Sequence, residues 1–178
     1  MFKKILIALD RSDMRQDVFK QGLALAKLTS AKLMLLHVLS PEEEGSPDVL
    51  IFPNIDYYPG WSEQSFRLYQ QQWEHFQQEG LALLQTFSAQ ANTENVNTEF
   101  TQNSGSPGRM ICELARVWQA DLIVMGRRGR SGLSEILLGS VSNYVLHHAS
   151  CSVHIVHLSV DSATQATPET TELLNSLK

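Results

Sequence analysis

Cysteine is nearly absent from this chain: only Cys112 and Cys151 occur in 178 residues. Two thiols make at most one bridge, which excludes the disulfide framework of a small secreted domain. Both are read as free thiols in a reducing compartment. Positive charge is also short. Lys and Arg total 14 against 19 Asp and Glu, a formal net charge of −5, so no basic field covers the surface to recruit nucleic acid. No run approaches the ~18–20 apolar residues that a membrane-spanning helix requires. The opening MFKKILIALD has a charged start, but its apolar part, Ile5 to Leu9, is too short for a signal segment and ends on Asp10. A cytoplasmic location is expected. A P-loop is missing as well: IALDRSD has neither the glycines nor the lysine of G-x-x-x-x-G-K-[ST].

What remains is the composition of one folded domain, 43% hydrophobic and 19% charged. Apolar runs at Ile5–Leu9, Lys32–Leu39, Asp121–Met125 and Val153–Leu158 predict strands, three of the four nearly continuous in apolar character as expected for strands covered on both faces. Val96–Thr101 alternates more weakly and predicts an edge strand. Between them lie helical spacings: Phe19, Gly22, Leu23, Ala26; then Phe66, Tyr69, Trp73, Phe76, Gly80, Leu83, Phe87; then Ile111, Leu114, Ala115, Trp118; then Val141, Tyr144, Val145, His148. Pro107 suits a first helical turn with Ser106 as its cap. The order β-α-β-α-β-α-β-α-β predicts a single open, doubly wound α/β domain. It has five parallel strands, four helices and right-handed crossovers.

In such a sheet, ligands bind beyond the carboxyl ends of the strands, where the winding reverses. The strand ends there are Ala8, Leu9 and Asp10, then Val38, then Met125. After Met125 the chain reads Gly126-Arg127-Arg128-Gly129, nine residues, then Gly139-Ser140-Val141-Ser142. Glycines let backbone approach phosphate oxygens and take φ > 0. A helix beginning at Gly139–Ser140 offers free N–H groups and a positive dipole end to an anion, and Ser140 and Ser142 add hydroxyl donors. Asp10 suits ribose hydroxyls or a phosphate-bridging Mg²⁺, and equally suits capping its own turn with Ser12 or Asp13. Val38 is read either as a wall for a base or as plain core.

These residues resemble the universal stress proteins of the nucleotide-binding type. The family signature is glycine, two residues, glycine, nine residues, glycine, then serine or threonine. Gly126, Gly129, Gly139 and Ser140 meet it. Asp121-Leu-Ile-Val-Met125, Glu135 to Ser142, ILIALDRSD, Leu-Leu-His-Val at 35–38 and Gly105-x-Pro107 match too. The likeness covers about residues 2–158, leaving a polar tail, 159–178.

The resemblance implies a strand order of 3-2-1-4-5, with ATP or another adenine nucleotide (ADP or AMP) at the split between the first and fourth strands. It assigns Asp10 to ribose or metal and Val38 to adenine. It assigns Gly126, Gly129, Gly139, Ser140 and Val141 to phosphates. It also implies a homodimer through the last strand, Ser152–Leu158, although Ser152 replaces a usual proline and His154 and His157 polarise that strand. Arg127, Arg128 and Arg130 make the loop more basic than the family pattern.

Three further expectations complete the reading. Residues 41–63, with four prolines, Glu42-Glu43-Glu44 and several aromatics, form an insertion suited to a lid or to a protein partner. No general base or activated nucleophile is evident, so slow ATP hydrolysis ranks below a binding protein that signals by shape. Sensing of AMP or a cyclic dinucleotide, and nucleic-acid binding through the arginine cluster, rank lower still. His147 and His148, adjacent on a helix, and His154 and His157, on opposite sides of a strand, are read as surface residues rather than metal ligands.

Overall fold

A computed structural model describes residues 1–47, 63–127 and 138–157 of the chain. Its order is β1 (Lys4–Leu9), α1 (Arg15–Thr29), β2 (Lys32–Leu39), α2 (Glu63–Thr93), β3 (Thr98–Ser104), α3 (Pro107–Trp118), β4 (Leu122–Gly126), α4 (Ser140–His148) and β5 (Ser152–Val156). The strands form one sheet in the order β3-β2-β1-β4-β5, and every pairing is parallel. Winding therefore reverses between β1 and β4.

The nearly continuous apolar strands resolve into two alternating sets. Ile5, Ile7 and Leu9 of β1, Leu33 and Leu35 of β2, and Leu122 and Val124 of β4 pack with Phe19, Leu23, Leu84 and Phe87 of α1 and α2. Leu6, Met34, Leu36, Val38, Ile123 and Met125 point the other way, onto Ile111, Ala115 and Val145 of α3 and α4. Side chains alternate with period two, so a strand covered on both faces has no polar face left.

Gly22 lets α1 lie close on β1: a Cβ there would stand 2.4 Å from Ile7 Cδ1. Gly108 does the same for α3 against Tyr144 of α4, at 2.8 Å from its ring.

Several boundaries move relative to expectation. β3 is an edge strand as predicted, but it runs Thr98–Ser104. Val96 is apolar because it is buried in the turn closing α2, where its N–H donates to Ala91 O and Asn95 takes a left-handed φ of 61°. The aromatic stripe of α2 is core only in its later turns. Phe76, Leu84 and Phe87 are buried, whereas Phe66 is 54% exposed. A helix of 31 residues is about 46 Å long, and a strand of 8 residues about 26 Å. The first turns of α2 thus overshoot the carboxyl edge of the sheet. Ser106 occupies the cap position before Pro107, but its side chain makes no capping hydrogen bond. On α4 the buried residues are Ser142 and Val145, while His148 is exposed and stacks on Tyr144 at 4.0 Å.

Candidate functional site

The switch point between β1 and β4 places two chain ends side by side. Ala8 pairs with Met125 across the strands, so Asp10 follows β1 close to where Gly126 and Arg127 leave β4. Asp10 Oδ1 accepts the N–H of Ser12 at 3.0 Å and also the Ser12 hydroxyl. The Arg15 guanidinium donates to the carbonyls of Arg11, at 2.8 Å, and Ser12, at 3.0 Å. The turn-capping role of Asp10 is therefore present, and it holds the carboxylate in a set orientation at the strand end.

Across the cleft, Ser142 is 1% exposed and its hydroxyl donates to Gly126 O at 3.2 Å. Here the hydroxyl clasps the first turn of α4 onto the end of β4. The clasp brings Gly126 and the α4 N-terminus together in space. Gly139 is the helix N-cap, and the N–H groups of Ser140, Val141 and Ser142 have no acceptor within the helix. Gly139 has φ −61° and ψ 157°, and Gly126 is not among the glycines with positive φ, so neither needs the left-handed freedom expected of it. Gly126 sits in tight packing instead, since a Cβ there would meet Val18 Cγ2 at 3.2 Å. Arg128, Gly129 and Arg130 lie outside the described residues. Arg127 is described: its N–H donates to Val156 O at 3.0 Å, and its guanidinium donates to His157 Nδ1 at 3.5 Å.

The side chains of Leu9, Val38 and Met125 are 4%, 7% and 4% exposed and belong to the cores. Their approach to any ligand is through backbone atoms. For Val38 this favours the core reading of its side chain. Ala8 is half-buried on the α3–α4 side.

Sequence reasoning missed a second cluster at the same edge. His37 is fully buried, at the end of the row Leu33, Leu35, His37 that faces α2. Its Nε2 lies 2.9 and 3.1 Å from the two oxygens of Glu43, itself 6% exposed. Gln102 on β3 sits 2.9 Å from His37 Nδ1 and 3.2 Å from Gln77 O. A carbonyl only accepts, so the Gln102 atom is its amide nitrogen and donates to both. His37 Nδ1 is thus an acceptor, and the ring is neutral with its proton on Nε2, donated to Glu43. Gly80 makes room: a Cβ there would lie 2.3 Å from Gln102 Nε2 and 2.5 Å from His37 Nδ1. One histidine inside LLHVL was the available signal, because a polar group in a strand covered on both faces must find partners. Glu43, one of the acidic run Glu42-Glu43-Glu44, gave none.

Both cysteines are free and half-buried. Burial pushes the Cys112 thiol up; burial first, then Asp121 and Cys112, do the same for Cys151. Neither is poised as a thiolate nucleophile.

A doubly wound α/β domain with a helix N-terminus clasped to the switch point is the class that this geometry defines. The model of the universal stress protein family matches residues 1–157, and the chain belongs to that family. Universal stress protein Sll1388 of Synechocystis is 39% identical over 155 residues, covering 87% of this chain and 97% of its own. Two solved structures share the fold. A universal stress protein in complex with cAMP has a TM-score of 0.58 at 23% identity, covering 89% of this chain and 98% of its own. A family protein from Arabidopsis thaliana with AMP bound has a TM-score of 0.57 at 22% identity, covering 92% and 97%.

Proposed function

We propose that this protein is a nucleotide-responsive stress protein that holds an adenine nucleotide (ATP, ADP or AMP) between Asp10 and the α4 N-terminus. The observation carrying this reading is the Ser142–Gly126 clasp. It holds the first turn of α4 against the end of β4, the neighbour of the strand that Asp10 follows, and in this reading an anion there gains both hydrogen bonds and the dipole. Family relatives solved with AMP and with cAMP support an adenine ligand.

In this reading the amides of Ser140 and Val141, with Gly126, Arg127, Arg128, Gly129 and Gly139, surround the phosphates. Asp10 takes the ribose, and Val38 offers backbone to the base. Mg²⁺ would arrive on the phosphates, with Asp10 as its carboxylate; among the described residues no three ligating side chains converge to hold a resident ion. Turnover is at most slow in this reading. The protein acts in the cytoplasm as a homodimer, through the last strand β5 (Ser152–Leu158 in the sequence reading), and residues 41–63 serve a protein partner.

The deciding experiment is mass spectrometry of ligand carried through native purification, with calorimetric titration of ATP, ADP, AMP and cAMP. Recovery of an adenine nucleotide and saturable binding are expected. A protein that emerges empty and binds none of the four would end the proposal. Phosphate release measured beside an Asp10→Asn control separates binding from hydrolysis.

A further inference from the structure

We propose that Glu43 and His37 are positioning residues for the ligand cleft, clamping the Asp10–Ser12 turn so that Asp10 is presented in one orientation. The inference rests on the nucleotide-binding reading above and extends it to residues that touch no ligand.

The clamp is built as follows. Glu43 Oε1 accepts the backbone N–H of Arg11 at 3.1 Å, the peptide immediately after Asp10. The same carboxylate accepts His37 Nε2–H, and His37 is the β2 residue paired with Leu9, immediately before Asp10. Asp10 is thus bracketed on both sides by groups that converge on one buried carboxylate. Gln102 fixes the far side of the His37 ring and is itself anchored to the backbone of α2. The Arg11 side chain closes the set: its guanidinium meets Glu79 at 2.9 Å and lies 5.1 Å from the Phe76 ring. Three strand ends, one loop and one helix are thereby registered against each other.

Such an arrangement is an expensive way to stabilise a core. A buried carboxylate loses its hydration, and well-packed apolar residues of similar volume commonly do as well or better. What a satisfied polar set provides is a single geometry, because each donor has one acceptor and misplacement leaves a buried group unpaired. Its location is informative. The set lies beside Asp10 at the carboxyl edge, not in the middle of either apolar core. A turn free to leave its binding conformation lowers apparent affinity by the fraction of time it is misplaced.

The test uses the full chain, without ligand and with ATP and AMP, comparing Glu43→Ala and Glu43→Gln with the unmodified protein. Glutamine keeps an acceptor oxygen for the Arg11 and His37 N–H groups; alanine keeps none. In Glu43→Ala we expect the Arg11 amide to exchange with deuterium at least about tenfold faster, and nucleotide affinity to fall roughly 10- to 100-fold. Core amides of β1 and β4 should be unchanged. Glu43→Gln should recover affinity to within about threefold of the unmodified protein. Unchanged Arg11 exchange in Glu43→Ala, or unchanged affinity, would overturn the proposal. So would a glutamine variant as weak as alanine, since charge rather than geometry would then be at issue.

If alanine prevents folding, Glu43→Asp replaces it: the charge stays but the side chain is one methylene short of holding both donors. Should the unmodified protein bind neither nucleotide, the proposed function falls. The exchange measurement still upholds or overturns the clamp.

Discussion

The two ends of the sheet solve the same problem with opposite means. At the amino end, Asp121 Oδ2 accepts the N–H groups of Lys3 and Lys4, at 2.7 and 2.9 Å, and so ties the start of β1 to the start of β4. At the carboxyl end, Glu43 accepts the N–H of Arg11 and so ties the end of β1 to β2 through His37. One carboxylate is exposed and the other buried. Water can replace any partner that Asp121 loses; nothing replaces a partner that Glu43 loses. The end to which the proposed function assigns the ligand is therefore the end where geometry is enforced by desolvation, and the other is stitched by contacts that solvent forgives.

The sharpest break of that comparison is at the carboxyl end. Gly139→Val is compatible with the backbone there, φ −61° and ψ 157°, so the fold should survive. Its branched side chain would occupy the space in front of the α4 amides, and nucleotide affinity should fall at least about 100-fold, the scale of several charge-assisted hydrogen bonds. Gly129→Val should act in the same direction. Calorimetry with ATP, beside a thermal melt, is the check; normal affinity in both variants would show that the site has been misplaced.

Next in size is Gly80→Ala. In a free helix this change stabilises by about 1 kcal/mol. Here the new Cβ would fall 2.3 Å from Gln102 Nε2 and 2.5 Å from His37 Nδ1, within a network that has no slack. We expect a net loss of roughly 2 kcal/mol in urea unfolding. Gly22→Ala provides the contrast. Its Cβ would meet only apolar atoms, Ile7 Cδ1 at 2.4 Å and Cγ1 at 2.8 Å, so Ile7 must shift but no polar group is left unpaired, and the cost should be the smaller of the two, about 1 kcal/mol. Equal costs at the two glycines would mean that the polar network yields as easily as an isoleucine.

Ser142→Ala comes third. It removes the bond to Gly126 O and leaves that carbonyl short of a donor, for about 1 kcal/mol of stability. Nucleotide affinity should change by only a few fold, because the hydroxyl faces the strand rather than the ligand. A loss as deep as that of Gly139→Val would restore Ser142 to the phosphate set.

These contrasts also explain what could be read in advance. Strand order was legible through the family resemblance, and that resemblance was visible because its signal is local: LIVMG running into a fixed glycine spacing is one stretch of chain. Ile5–Leu9 and Lys32–Leu39 were legible because double coverage leaves only apolar residues. The clamp was not. His37, Glu43, Gly80 and Gln102 come from four segments, and nothing in Glu42-Glu43-Glu44 tells which of three identical side chains turns inward. Only the fold decides, by leaving one buried histidine N–H to be met. The Ser142 clasp was hidden for a related reason: a serine in a helix's first turn is read as a donor to ligand, and nothing local shows that its hydroxyl meets a carbonyl of the preceding strand.

The smallest effect belongs to Asp121, where the comparison can be tested by pH. Bonds from the Lys3 and Lys4 backbone N–H groups hold its carboxyl below the ordinary aspartate value, and burial opposes them only weakly. A carboxyl depressed in the folded state adds stability above its unfolded value, near about 3.9, and loses it as pH falls through the lower folded value. Asp121→Asn keeps an acceptor oxygen but no charge. At pH 7 it should cost about half a kcal/mol, discounted for exposure. As pH is lowered below about 4, that deficit should shrink toward zero, because the protonated aspartate no longer outperforms asparagine. Urea unfolding of both proteins at several values from pH 7 to below pH 3 measures it. A deficit that stays constant across the range, or exceeds 1 kcal/mol, would show that solvent does not forgive the amino end, and that the two ends of the sheet differ less than their burial implies.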